Sequence, residues 1–114
     1  LETGPEVVAG STRLGAATGQ KAALNMISVL VGVRLGAVHD GQMANLIADN
    51  IKLVDRAARI VARIAGTEEE AARVALHHTN GAVKPAILVA RGQSADAALQ
   101  ALAASGGKLA PYLD

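Results

Sequence analysis

Aromatic residues are all but missing from this 114-residue chain, which has no Phe, no Trp and one Tyr, Tyr112. Any core must therefore be assembled from Ala, Leu, Val and Ile, and there is no aromatic platform on which nucleic-acid bases could stack. Cysteine is absent as well, which excludes a disulfide framework and a thiolate metal site and fits a reducing compartment. Charge of one sign is also lacking. Eleven basic residues against ten acidic ones leave a net charge of +1, without the concentrated basic face that nucleic-acid binding requires. The longest apolar run, Ala22 to Val33, is interrupted by Asn25 and Ser28 and bounded by Lys21 and Arg34. A membrane span needs about 20 apolar residues, so this run is read as a buried helix of a soluble protein. The chain opens on Leu1 rather than Met, with no basic stretch leading into an apolar signal core. It is read as a piece of something longer.

What is present points to helices. Ala and Leu are good helix formers, and small Ala faces let helices approach closely. Residues 1–10 form an extended lead-in with a turn at Gly4-Pro5, and Val7-Val8 are placed to pack or to end a strand. A first long helix is predicted from about Thr12 to Gly36, capped by Ser11 or Thr12. Its middle is apolar nearly all round, so it wants cover on several sides. Gly15, Gly19, Gly32 and Gly36 weaken it by about 1 kcal/mol each, and their expected use is close backbone packing. After a loop at residues 37–42, a second long helix is predicted from about Met43 to Ala65, with a bend near Asn50. Ile47, Ile51, Val54, Ala58, Val61 and Ala65 lie on one stripe of it, while Lys52, Arg56, Arg59 and Arg63 form a solvated basic face. Asp55 is placed to pair with Arg59 one turn on.

Gly66 ends that helix. Thr67 and Glu70 have the spacing of a capping box, predicting a short helix from about Glu68 to Thr79 that stops at Asn80-Gly81. Another follows at about Val83 to Arg91, with Pro85 in its first turn, where a missing N–H matters least. Ser94 caps the next, about Ala95 to Ser105, with Asp96 near its positive end. The tail after Gly106-Gly107 adds one more turn. The expected fold class is all-α: two long helices, then a small three-helix bundle. The expected divisions are 1–36, 37–66 and 67–114.

Chemistry-bearing residues are sparse. His77 and His78 are adjacent on a helix and point about 100° apart, so a metal site is not expected, and surface positions suit them better. Glu6, Asp40 and Asp49 are the carboxylates in polar stretches that could line a cleft. No nucleophile–base arrangement is evident, so no catalytic residue is assigned. One anion-binding candidate remains, Gly10-Ser11-Thr12-Arg13 at the mouth of the first helix. Hydroxyls, free N–H groups and a cation suit phosphate there, and plain capping is the competing explanation. Lys21 and Asn25 follow on one face of the same helix.

At these residues the chain resembles the C-terminal stretch of N-acetylmuramic acid 6-phosphate etherases. Gly4-Pro5-Glu6-Val7, Gly10 to Leu14, Gln20-Lys21, Leu24-Asn25-Met26 and Arg34-Leu35-Gly36 match that family's pattern. So do Ala48 to Leu53 with Arg56, Arg59, Ile60 and Val61, then Gly81 to Leu88, and finally Gly106-Gly107-Lys108-Leu109. The resemblance implies that residues 1–36 end a doubly wound sugar isomerase (SIS) domain. It implies that residues from about 67 form a module similar to ubiquitin-associated (UBA) domains. It also implies a metal-free cytoplasmic lyase, usually a homodimer, with no cofactor, that cleaves the lactyl ether of N-acetylmuramic acid 6-phosphate in cell-wall recycling. The products are N-acetylglucosamine 6-phosphate and D-lactate. The family's catalytic glutamates lie upstream, so this piece is expected to be inactive alone. Ser11, Thr12, Arg13 and Lys21 match the family motif and are expected to line the sugar-phosphate cleft. Gly15 replaces a family Lys, and the stretch from Gly41 to Asn50 lacks a family Val-Asp-Val. Two other readings therefore stay open: a SIS protein that only binds a phosphosugar, or a helical protein-interaction module. Neither nucleic acid nor membrane is an expected partner. The uncovered first helix is expected to make the isolated piece oligomerise.

Overall fold

The computed structural model describes residues 1–6, 8–9 and 14–113. The chain divides into two compact units, Leu1–Gly32 and Val33–Asp114. The first is dominated by α1 (Leu14–Arg34). No residue of α1 is buried; Leu24, Met26, Ile27, Val29 and Leu30 are all more than half exposed. The sequence expectation that this helix wants cover thus meets a helix whose apolar surface is open among the described residues. Close packing at two of its glycines is present: Gly15 lies against Thr3 and Glu6, and a Cβ on Gly19 would come within 2.7 Å of the Thr3 methyl. Val8 is exposed and in no strand, while Val7 lies outside the described residues.

The second unit opens with a two-residue hairpin that the loop expectation missed. β1 (Val38–His39) pairs antiparallel with β2 (Gln42–Met43), with His39 opposite Gln42. Asp40 and Gly41 form the turn with φ of 46° and 68°. Both central residues thus have the positive φ of a type I′ turn, which the Asp-Gly pair favours. The fold is therefore mostly helical, with one small sheet added to the expected all-α class. The second helix also starts later than Met43. Residues 44–48 run extended instead, with Ile47 bridging Ala82. Val83 N–H donates to Leu46 O at 3.0 Å, and Ala48 N–H to Gly81 O at 2.9 Å. α2 spans Ile51–Ala65, and Asn50 is its N-cap rather than a bend, accepting from Leu53 N–H at 3.0 Å. This is the ordinary role of Asn at a helix start.

α2 ends at Gly66, where Gly66 N–H and Thr67 N–H both donate to Ala62 O. That closure commits Thr67 to the end of α2, so the expected capping box does not form. Glu68 is instead the N-cap of α3 (Glu69–His78), without a side-chain cap bond, and Thr67 Oγ1 is buried without a partner among the described residues. α4 (Val83–Ala90) carries Pro85 in its first turn, and α5 (Ala95–Ala104) is capped by Ser94, which accepts from Ala97 N–H. Both features follow the sequence expectation, as does the closing turn α6 (Ala110–Leu113).

The core lies where α2 packs on α3 and α4, and α4 packs on α3 and α5. Alanines fill much of it: Ala57, Ala58, Ala72, Ala75, Ala86 and Ala98 are all buried. Ala72 and Ala75, three residues apart, share one face of α3, and the small size of these alanines allows close helix approach. The larger contributors are Ile87, Leu88, Val61, Val83 and Leu109. Each of the larger side chains contributes roughly 1.5–3 kcal/mol when fully buried. Ile47 and Ile51, assigned from sequence to the buried stripe of the second helix, are 66% and 84% exposed. Ile47 leaves the stripe because residues 44–48 are not helical, and Ile51, the first residue of α2, precedes the part of that helix that is buried, from Ala57 to Val61. Tyr112, the single aromatic residue, closes the unit: its hydroxyl donates to Ala101 O at 2.7 Å.

Gly81 has a φ of 80°, and an added Cβ would stand 2.6 Å from Ala48 O. Gly81→Ala is expected to cost about 2 kcal/mol or more, from left-handed backbone strain plus that clash. In urea unfolding, the exposed control Ile51→Ala is expected to stay within about 0.5 kcal/mol of the parent. Equal midpoints for the two variants would contradict this packing.

Candidate functional site

Of the four expected cleft residues, Ser11, Thr12 and Arg13 lie outside the described residues. Lys21 is on α1 and exposed, as is Asn25 one turn further on. The geometry at the start of α1 adds a group that sequence reading had left only as a polar-stretch carboxylate. Glu6 accepts from Gly15 N–H at 2.9 Å and 3.2 Å with its two oxygens, and from Ala16 N–H at 3.4 Å. Two amides at the start of α1, those of Gly15 and Ala16, are thus met by the chain's own anion, the charge sign that a helix N-terminus favours. A signal was available in the sequence: a carboxylate shortly ahead of a predicted helix start.

The histidines do not converge. His39 is half-buried on β1, whereas His77 and His78 are exposed, their rings edge-on with centroids 6.1 Å apart. Among the described residues no group of three or more His, Cys, Asp or Glu side chains is placed to hold a metal ion. The basic face of α2 is exposed at Lys52, Arg56, Arg59 and Arg63, as expected. The predicted Asp55–Arg59 pair is replaced by a longer-range one: Arg73 of α3 reaches Asp55 at 2.8 Å and lies 4.0 Å from Glu69. Packing α3 on α2 brings Arg73 to Asp55, and their hydrogen bond raises the guanidinium pKa further above its ordinary value. Arg63 meets Asp40 of the hairpin turn at 3.4 Å. These pairs are solvent-exposed and contribute little to stability.

The other polar feature of note is at Lys84, in the first turn of α4. Its Nζ donates to Gly107 O at 2.8 Å. The same carbonyl faces Gly36, where a Cβ would come within 2.9 Å of it. The close packing expected of Gly36 is therefore made against the Gly106-Gly107 turn. Burial pushes the Lys84 pKa below its ordinary value.

These residues define a mostly helical segment whose long first helix has its N-terminus turned to an anion, with no nucleophile–base pair assigned within it. No protein-family model matches the chain. Curated relatives do match. It is 44% identical over 108 residues to the N-acetylmuramic acid 6-phosphate etherase of Deinococcus radiodurans, covering 94% of this chain and 35% of that protein. It is 46% identical over 112 residues to the enzyme of the same name from Salmonella paratyphi B, covering 97% of this chain and 38% of that protein. With that of Pectobacterium atrosepticum it shares 50% identity over 86 residues. The chain belongs to the N-acetylmuramic acid 6-phosphate etherase family, and it spans little more than a third of the length of these relatives. None of the described helices is long and apolar enough to cross a membrane.

Lys84 offers a check on the geometry described above. A lysine whose folded-state pKa is lowered binds its proton less tightly in the native state than in the unfolded one. Stability therefore rises with pH between the lowered pKa and the ordinary lysine value, as the buried charge is lost. Urea unfolding from about pH 8 to about pH 11 is expected to give a difference in stability between the parent chain and Lys84→Met that shifts towards the parent as pH rises. A pH-independent difference would contradict the burial of this ammonium.

Proposed function

We propose that this chain is the C-terminal part of an N-acetylmuramic acid 6-phosphate etherase, a carbon–oxygen lyase that releases D-lactate and N-acetylglucosamine 6-phosphate from its sugar-phosphate substrate. The observation that carries the proposal is identity of 44–46% maintained over nearly the whole of this chain. In this reading α1 is the last helix of a SIS domain, and its open apolar side packs on that domain's sheet. Residues 67–114 are the UBA-like module, and the assembly is a cytoplasmic homodimer. Ser11, Thr12, Arg13 and Lys21 line the phosphosugar cleft. The exposure of Lys21 leaves its ammonium available. An anion reaching the amides of Gly15 and Ala16 would have to displace the Glu6 carboxylate.

The 114-residue chain alone is inactive in this reading, because the acid and base that the elimination requires lie in the upstream part of the family. A non-catalytic, sugar-phosphate-binding relative is the second reading. It is favoured by Gly15 standing where the family pattern has Lys. The two separate in one assay, D-lactate release from N-acetylmuramic acid 6-phosphate by the full-length protein carrying this segment and by the chain alone. Release by the first and none by the second is expected. Release by the chain alone would overturn its assigned inactivity. Phosphosugar binding by the full-length protein without D-lactate would overturn the lyase reading in favour of the second.

A further inference from the structure

Lys84 is half-buried, and an ammonium carries three N–H donors. Gly107 O takes one of them. The ion pairs among the described residues engage Arg63 and Arg73 and leave Lys84 without a carboxylate. A charge drawn out of water is thus set against a single neutral acceptor, which offsets only part of the desolvation cost. Beside it the fold leaves a cavity of about 370 Å³, with Leu46 and Ile47 as its accessible apolar walls, the buried Val83, Pro85 and Leu102 beneath them, and Asn45 as a further polar side chain. That volume falls within the range of small-molecule sites, which combine apolar walls with a few placed polar groups. Lys84 is the one cation among the lining residues. One cation suits a monoanion better than a phosphate dianion, and the walls suit a short hydrocarbon.

We propose that this cavity binds a small monocarboxylate with a short carbon chain. The carboxylate accepts from Lys84 Nζ, and the chain lies against Leu46 and Ile47, the accessible apolar side chains of the lining. The lowered pKa of Lys84 agrees with an ammonium short of counter-charge. The site is built from residues 44–107 and does not rest on the lyase reading.

The test is an NMR titration of the 114-residue chain with acetate, propionate and butyrate, and with inorganic phosphate as the competing anion. Saturable shifts at Lys84, Gly107 and Leu102 are expected, tightening by up to about fourfold per added methylene. Phosphate is expected to bind more weakly than butyrate at this position. Lys84→Met, which keeps an unbranched stem, is expected to lose carboxylate binding while its spectrum retains native dispersion. The proposal is overturned by the absence of saturation with the parent chain, a result that depends on no variant folding. It is also overturned by affinities that ignore chain length, by phosphate binding as tightly as butyrate, or by undiminished binding in a folded Lys84→Met.

Discussion

The burial of α4 is the constraint on which the rest of residues 33–114 depends. Val83, Pro85, Ala86, Ile87 and Leu88 are all buried in an eight-residue helix. So short a helix is marginal on its own and owes its existence to packing. It obtains that packing from α2, α3 and α5 together. Because aromatic side chains do not supply bulk, the partners must come close, and alanines at the facing positions permit it. The demand extends beyond the helices. The extended run 44–48 is drawn onto the residues just before α4 by two backbone hydrogen bonds, and Lys84 draws in the turn at Gly107. No polar or charged residue is fully buried among those described; the unpaired Thr67 Oγ1 and the half-buried Lys84 are where this small unit bears a desolvation cost.

Where local chemistry decides the structure, the sequence was legible. Gly66 and Asn80-Gly81 punctuate the chain as their backbone preferences require, Ser94 caps α5, and Pro85 sits in a first turn. Two misreadings, at Met43 to Asn50 and at Asp55, share one cause, which is that a distant segment outbid a local pattern; at Thr67 the competitor is the neighbouring end of α2. Met43 to Asn50 carries apolar residues at spacings compatible with a helix, yet its backbone groups pair with Gly81 and Val83, some 35 residues away. Thr67 has capping-box spacing from Glu70, but its N–H closes α2 instead. Asp55 sits one turn from Arg59, but folding delivers Arg73. The hairpin is the exception, because Asp40-Gly41 is a local signal that could have been weighted above the helical spacing that follows it.

The expected cleft residues were read in a different way. Their types at a helix start suggest an anion on general grounds, and the family resemblance implies a sugar phosphate as that anion. Physical reading of the sequence did not anticipate that Glu6 would meet the amides of Gly15 and Ala16, because spacing alone does not fix how a lead-in folds back. Nor did it anticipate the Lys84 clasp, which needs the Gly106-Gly107 turn brought 23 residues back along the chain.

The two units differ in kind. One is a packed set of helices around α4; the other is a helix with no buried residue and a row of open apolar side chains. That difference has a direct readout in the stability of backbone hydrogen bonds against local opening. Native-state hydrogen exchange on the 114-residue chain, at a concentration where it is monomeric, measures this residue by residue. The account predicts that amides in the middle of α2 and α4 exchange only through global unfolding, while those of α1 between Ala22 and Val31 exchange by opening at far lower free energy. Protection of α1 equal to that of α4 in the monomer would contradict it.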